Sequence, residues 1–362
     1  MRVSSSTLVL LLLLPCSAGS APTSGPGGGS EAVRVQLDAS ESEAALAILE
    51  KERRREAVSA GDWERLLRSP GYQRLVAREE AMGRPVTRAE FESLLGSPEL
   101  VGRAEALAAT VEAWKKVDVA SAAGRALAYL PAGTRLEATI YLLIKPKPNS
   151  FVFNQPTPGI FLAVDPAVSA GRLANTLAHE LHHIGSSASC PPESLRADSK
   201  QLPPEEQSAL KWLSAFGEGL AMLAAAGGPA AHPHAASPAA DRARWDRDMA
   251  RVGADLETLD RFFRDILERR ITAEEADRRG FSYFGVQGPW YTVGYRMAAT
   301  IERAFGRSEL IRAFCETRGL PGTYSRAAGA LRLPGPRWRV WSDAEPEAEP
   351  GPARGSLRGP RP

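Results

Sequence analysis

The densest group of chemically active side chains lies in residues 179–183. This stretch holds three of the five histidines of the 362-residue chain and reads H-E-x-x-H, with His179 and His183 four residues apart. In a helix of 3.6 residues per turn, positions four apart lie on one face, so both imidazoles can bind one ion. Two neutral imidazoles suit zinc. Glu180, about 100° further round the helix, can reach a water on that ion as a general base. The spacing therefore predicts a metal site that activates water; the alternative is an exposed polar helix face.

The third histidine of this stretch has a different predicted role. On a helical wheel His182 lies about 60° from His179 and about 100° from His183, on the side away from Glu180. We therefore expect His182 to support the site or to lie at the surface, and not to bind the ion.

A catalytic zinc needs a third protein ligand and an open position. Glu218 is the best candidate, because it stands between two glycines in a predicted helix 35 residues after the second ligand. Each glycine costs about 1 kcal/mol relative to alanine in a helix, and a close approach of the two helices around an ion explains such a cost. The alternatives are an ordinary exposed glutamate, or a third ligand from His232 or His234 in a loop rich in glycine and proline.

These motifs resemble a known branch of zinc metallopeptidases. H-E-x-x-H on one helix with G-E-G-x-A on the next is similar to the gluzincins, the thermolysin-like enzymes. With Y-x-x-G-Y-x-M at 291–297, the chain also resembles uncharacterised secreted bacterial zinc-dependent peptidases of the domain-of-unknown-function type. The resemblance covers roughly residues 139–305. It implies that one zinc ion is bound by His179, His183 and Glu218, with Glu180 as the catalytic acid and base.

The sequence departs from that pattern at one position. Some thermolysin-like enzymes have an aspartate one turn after the glutamate ligand, whereas Met222 stands here. The partner of the first histidine is therefore unassigned.

Tyrosines of a later helix, opened by Pro289, are candidates for stabilising an oxyanion. Tyr291 is the first choice and Tyr295, one turn later, is the second. The alternative for both is a role in the core. Arg296 either binds a substrate carboxylate or lies in solvent.

A small sheet is predicted directly before the metal helix. Three β-branched and aromatic runs, 139–144, 150–153 and 159–164, are separated by proline-rich turns. Ser169 can cap the following helix, and Gly185 is expected to end it. An extended peptide could pair with the second or third of these strands. The predicted fold class is α+β, mostly helical, with a zincin-like core.

The remainder of the chain gives its organisation. Arg2 followed by an apolar run and small residues is typical of a secretory signal peptide. Lipid attachment at Cys16 is the alternative, although Pro15 does not suit it. No later segment is long and apolar enough to span a membrane. The predicted divisions are a signal peptide at 1–21, a flexible leader at 22–34, a peptidase domain at 35–332 with a helical part at 35–130, and a disordered tail at 333–362.

Composition limits the partners. Lys and Arg number 45 against 43 Asp and Glu, with no basic block interleaved with aromatics, so nucleic acid is not an expected partner. After signal cleavage Cys190 and Cys315 remain, and they can pair in an oxidising compartment. We therefore predict a secreted or periplasmic zinc metallopeptidase acting on peptides or proteins. The alternatives are a zinc hydrolase of another substrate, such as an ester or a cell-wall peptide, and a non-catalytic binding protein with a structural or vestigial zinc site.

Overall fold

The computed structural model describes residues 33–147, 149–154, 157–190, 198–334 and 338. The predicted signal peptide, most of the predicted leader and nearly all of the predicted tail lie outside these residues. Trp338, which falls in the segment predicted as a tail, is buried against Phe216 and Phe263.

A four-stranded mixed sheet lies before the metal helix, in the order β1-β2-β4-β3. The strands are β1 (Val33–Asp38), β2 (Leu136–Leu143), β3 (Phe151–Phe153) and β4 (Gly159–Ala163). β2 pairs in parallel with both β1 and β4, whereas β3 pairs antiparallel with β4. The three predicted strands are confirmed. β1 was not predicted, and it begins within the last residues of the predicted leader.

Helices cover both faces of this sheet. Along β2, the side chains of Leu136, Ile140 and Leu142 pack against α7 (Val119–Leu127) and α8 (Ala170–Ser189), which carries the histidines. Tyr141 and Leu143 face the other way, toward the first helices of the chain. Because successive strand residues point to opposite faces, this alternation lets one buried strand serve two cores.

The N-terminal helices form a layer on the face of Tyr141 and Leu143, and the C-terminal helices form a bundle after the metal helix. The N-terminal set is α1 (Ser40–Arg54), α2 (Ala60–Leu67), α3 (Pro70–Ala81), α4 (Arg88–Leu95), α5 (Pro98–Val101) and α6 (Ala104–Trp114). The C-terminal set is α9 (Pro204–Leu213), α10 (Gly217–Ala226), α11 (Ala239–Ala250), α12 (Val252–Leu267), α13 (Ala273–Ser282), α14 (Pro289–Phe305), α15 (Arg307–Cys315) and α16 (Leu320–Ala330).

The bundle has its own aromatic core around Trp290, which is fully buried and packs edge-on against Phe216 and Phe263. The α+β class and the mostly helical content are confirmed. In the described part of the chain, no helix combines the length and the apolarity needed to cross a bilayer.

One predicted helix end is wrong. Gly185 does not terminate α8, which continues to Ser189. A Cβ at this glycine would lie 2.3 Å from Leu130 and 2.8 Å from Leu136. The glycine is therefore required by close packing against the sheet side of the helix, and not by a left-handed terminus.

Candidate metal centre

The sequence of α8 orients its histidines. Ser169 caps the helix by accepting a hydrogen bond from the Arg172 backbone N–H, as predicted. Leu173, Leu177 and Leu181 are buried in the core shared with the sheet. Because the apolar stripe fixes one face of the helix against the sheet, the face that carries His179 and His183 is turned toward α10.

Three predicted ligands converge at one point. Within the described residues, His179, His183 and Glu218 form a group able to hold a metal ion. The two Nε2 atoms lie 3.0 Å apart, and Glu218 Oε2 lies 3.2 Å from Nε2 of His179 and 3.3 Å from Nε2 of His183. Tetrahedral ligands about 2.0–2.1 Å from zinc lie roughly 3.3 Å from one another. The triangle therefore fits a zinc ion with three protein ligands and one open position.

The electrostatics of Glu218 favour a cation. Burial alone would raise the pKa of this carboxyl, but His183 and His179 lower the pKa well below its usual range. Conversely, burial opposes protonation of His183, yet the charge of Glu218 raises its pKa. Glu218 also lies in the first turn of α10, where a negative charge is favoured. The centre thus keeps an ionised carboxylate between two imidazoles.

The glycine pair around Glu218 has a different explanation from the predicted one. A Cβ at Gly219 would lie 2.0 Å from the backbone nitrogen of Tyr295 and 2.2 Å from the carbonyl carbon of Gly294, whereas a Cβ at Gly217 would meet nothing within 4 Å. The close approach is therefore between α10 and α14, and not between the two ligand-bearing helices. Gly217 begins α10 after a short 3-10 turn at Ser214–Phe216, which separates α10 from α9.

Glu180 is not a member of this group of three side chains. It is buried, and burial raises the pKa of its carboxyl above the ordinary value, against the opposing effect of His179 and His183. A raised carboxyl pKa brings a general base nearer to neutral pH. Within the described residues its Oε2 is buried and has no hydrogen-bond partner.

The other histidines do not join the three ligands. His182 is buried with Nε2 3.3 Å from the carbonyl oxygen of Tyr129, and burial lowers its pKa to about 3. His232 lies 3.0 Å from Asp246. His234 contacts Ser237 through Nδ1, and burial lowers its pKa to about 4. His182 was not expected to bind the ion, and the geometry agrees. The alternative of a third ligand from His232 or His234 is not supported, because neither joins the group of three.

The two candidate tyrosines, Tyr291 and Tyr295, lie in different surroundings. Tyr291 stacks on His179 with ring centroids 6.4 Å apart, near enough to Glu218 for the charge of that carboxylate to act on its hydroxyl. Burial and the charge of Glu218 raise the pKa of Tyr291, which keeps its proton available for donation. Tyr295 instead packs edge-on against Trp245 and points its hydroxyl at the carbonyl of Ala231. Only the first choice therefore lies beside the ligands.

Two other positions named from the sequence do not contribute polar contacts at the centre. Arg296 lies near Tyr324 of α16, where its charge opposes the rise that burial causes in the pKa of that tyrosine. Met222 occupies the position where an aspartate would support the first histidine. Within the described residues, Nδ1 of His179 has no hydrogen-bond partner.

Two cavities flank the ligands. The first, of about 150 Å³, is defined by Arg172, His179, Glu180, His234, Asp241 and Arg244, and is called the basic cavity below. The second, of about 200 Å³, is defined by His183, Trp212, Leu220, Phe281, Phe284 and Phe314, and is called the apolar cavity. The disulfide between Cys190 and Cys315, a pairing that the sequence permitted, lies in its wall.

Both described cavities are lined by helices and loops, and neither has a strand residue in its wall. β4 is paired on both sides by β2 and β3 and has no free edge, so the prediction that a peptide could pair with it is wrong. β3 keeps a free edge but lies away from both cavities.

Sequence comparison is consistent with a zinc ion at this group of two histidines and one glutamate. Residues 63–331 match the model of the family DUF5700, whose description reads "Putative zinc dependent peptidase". The chain belongs to this family. No curated protein and no solved structure matches it.

Proposed function

We propose that the chain is a secreted zinc-dependent metallopeptidase that hydrolyses peptide bonds. The observation that carries this proposal is the triangle of His179, His183 and Glu218, with the buried carboxyl of Glu180 beside it. A purely structural zinc site has four protein ligands and needs no adjacent base. Membership of a family described as zinc-dependent peptidases supports the same conclusion. The disulfide supports export to an oxidising compartment, where such bonds persist.

In this mechanism the protein side chains bind, orient and move protons. When bound, zinc supplies Lewis-acid chemistry, lowering the pKa of water and polarising a carbonyl. Glu180 takes a proton from the attacking water and later delivers it to the leaving amine. Tyr291, buried and protonated, can donate a hydrogen bond to the developing oxyanion.

Removal of the metal tests the proposed activity directly. The full chain is expected to contain a single zinc ion and to cleave members of a peptide library. Dialysis against a chelator should abolish cleavage, and added zinc should restore it. Zinc content by mass spectrometry and cleavage by product analysis are the two measurements. Cleavage that survives complete loss of zinc, or a zinc-loaded chain that cleaves no peptide, would contradict the proposal.

Tyr291→Phe separates two roles of the hydroxyl. If Tyr291 donates to the oxyanion, kcat should fall by about 10²–10³-fold, with KM and zinc affinity nearly unchanged. The matched control is Tyr295→Phe, whose hydroxyl contacts Ala231 away from the ligands. A loss of zinc affinity with kcat preserved on reloading would instead make Tyr291 a positioning residue for Glu218.

A further inference from the structure

The basic cavity contains two guanidinium groups around one carboxylate. Nη1 of Arg244 hydrogen bonds to Asp241 at 3.0 Å, and Nη2 of Arg172 lies 3.6 Å from the other oxygen of Asp241. Nη2 of Arg244 has a long contact of 3.5 Å with Gln287. An arginine presents five N–H donors. Within the described residues, most donors of this pair are therefore not used by the protein. The side chains of Arg172 and Arg244 are 31% and 27% exposed.

The charges of this cavity favour an anion. Arg172 and Arg244 against Asp241 leave one positive charge in the part of the wall away from the ligands, while Glu180 lies beside the ligands. His234, the other basic side chain of the wall, is buried, and its Nε2 has no hydrogen-bond partner in the described part of the chain. A planar guanidinium fork matches a carboxylate in two parallel hydrogen bonds.

The position of Glu180 places the basic cavity on the leaving-group side of the scissile bond. Glu180, which would protonate the leaving amine, lines the basic cavity and does not line the apolar cavity. The part of a substrate that follows the scissile bond therefore enters the basic cavity. The part that precedes it, by the same reasoning, lies in the apolar cavity beside Trp212, Phe281 and Phe284.

The distances suit a short leaving fragment. Arg172 precedes His179 by seven residues in α8, which is two turns and about 10.5 Å along the axis. Two extended residues span about 7 Å, and a charged N–H to carboxylate contact adds about 2.8 Å. Two residues therefore bring a carboxylate close to the level of Arg172, and a carboxylate one residue past the scissile bond needs the reach of the long arginine side chain as well.

We infer that Arg172 and Arg244 form a carboxylate-binding subsite for the leaving side of the substrate, and that an apolar side chain occupies the other cavity. This inference rests on the proposed peptidase function. The carboxylate is either the carboxyl terminus of a peptide, which makes the enzyme remove short C-terminal fragments, or the side chain of an acidic residue directly after the scissile bond.

Three matched peptides distinguish these sources. Each is blocked at the amino end and has phenylalanine before the bond to be cleaved. The first ends two alanines later in a free carboxylate, the second is its terminal amide, and the third is an amide with aspartate after the phenylalanine. The variants are Arg172→Gln, Arg244→Gln and the double variant, with Arg247→Gln on the exposed side of α11 as the control.

For wild type, kcat/KM is expected to be about 10- to 100-fold higher for a carboxylate-bearing peptide than for the plain amide, the range of a charge-assisted hydrogen bond. Preference for the first peptide identifies a terminal carboxylate, and preference for the third identifies an acidic side chain. The double variant should lose the preference while still cleaving the plain amide, and Arg247→Gln should keep it. Thermal unfolding checks that each variant is folded. If the double variant is not folded, the loss of preference is measured on the single variants.

Binding of the same peptides to the Glu180→Gln variant is measured by calorimetry. This measurement tests the carboxylate subsite independently of peptide cleavage. If no peptide is cleaved yet the carboxylate peptides bind more tightly than the amide, the peptidase proposal fails and the subsite stands. If peptides are cleaved with no preference for a carboxylate, or if the preference survives in the double variant, the subsite is wrong and the peptidase proposal stands.

Discussion

Glu180→Gln is expected to lower kcat by about 10²–10⁴-fold, the usual contribution of a positioned general base, while zinc stays bound. The amide keeps the shape of the side chain but cannot accept a proton. The triangle of His179, His183 and Glu218 does not include Glu180, so the ligand set is unchanged. Because the carboxyl is buried with a raised pKa, its replacement by a neutral amide should not destabilise the fold. Zinc content, kcat and thermal unfolding are the three measurements.

Glu218→Gln is the matched control, since it makes the same chemical change one helix away. This variant should lose zinc affinity first and activity as a consequence, with activity partly restored at high zinc concentration. Two results would contradict the assignment of Glu180 as the base. One is full activity of the Glu180→Gln variant, and the other is loss of its zinc, which would make Glu180 a ligand.

The grouping of the three candidate ligands was predictable from the sequence because their geometry is mostly local. His179 and His183 share one helix, so a spacing of four residues fixes their common face. Glu218 was found through a local anomaly, a carboxylate between two glycines in a helical segment. Tyr291 was selected for its chemistry, and the structure places it beside Glu218.

Features that depend on tertiary contacts were not predictable in the same way. Parallel pairing of β1 with β2 joins segments separated by the whole N-terminal helical layer. From the sequence, Gly185 is predicted to end the helix. Only the tertiary contact with Leu130 shows that the glycine is needed for close packing. Only one member of the arginine pair could be placed near the site from the sequence, because Arg172 lies two turns before His179 on the same helix. Arg244 comes from α11, and only the fold brings it to that cavity.

Gly219→Ala is expected to disturb the metal centre through the contact between α10 and α14. The added methyl would overlap the backbone of Tyr295 and Gly294 in α14, and backbone atoms cannot move aside as a flexible side chain can. Inserting a methyl into so close a helix crossing typically costs about 1–3 kcal/mol. Each helix of this crossing carries a residue of the site, Glu218 on α10 and Tyr291 on α14. Separation of these helices should therefore lower the unfolding temperature, the zinc affinity and kcat/KM together, the last by about 10²-fold for a shift of 1 Å.

Gly217→Ala is the control that makes this prediction sharp. It adds the same methyl two residues away in the same helix, in a right-handed conformation and with no neighbour within 4 Å. Alanine there should stabilise the chain by about 0.4–1 kcal/mol, since it restricts the unfolded state without a clash. The combination of a harmless change at 217 and a harmful one at 219 would show that the first turn of α10 is held in place by contact with α14. Equal effects at the two positions would mean that Glu218 is positioned by its own helix and by zinc alone.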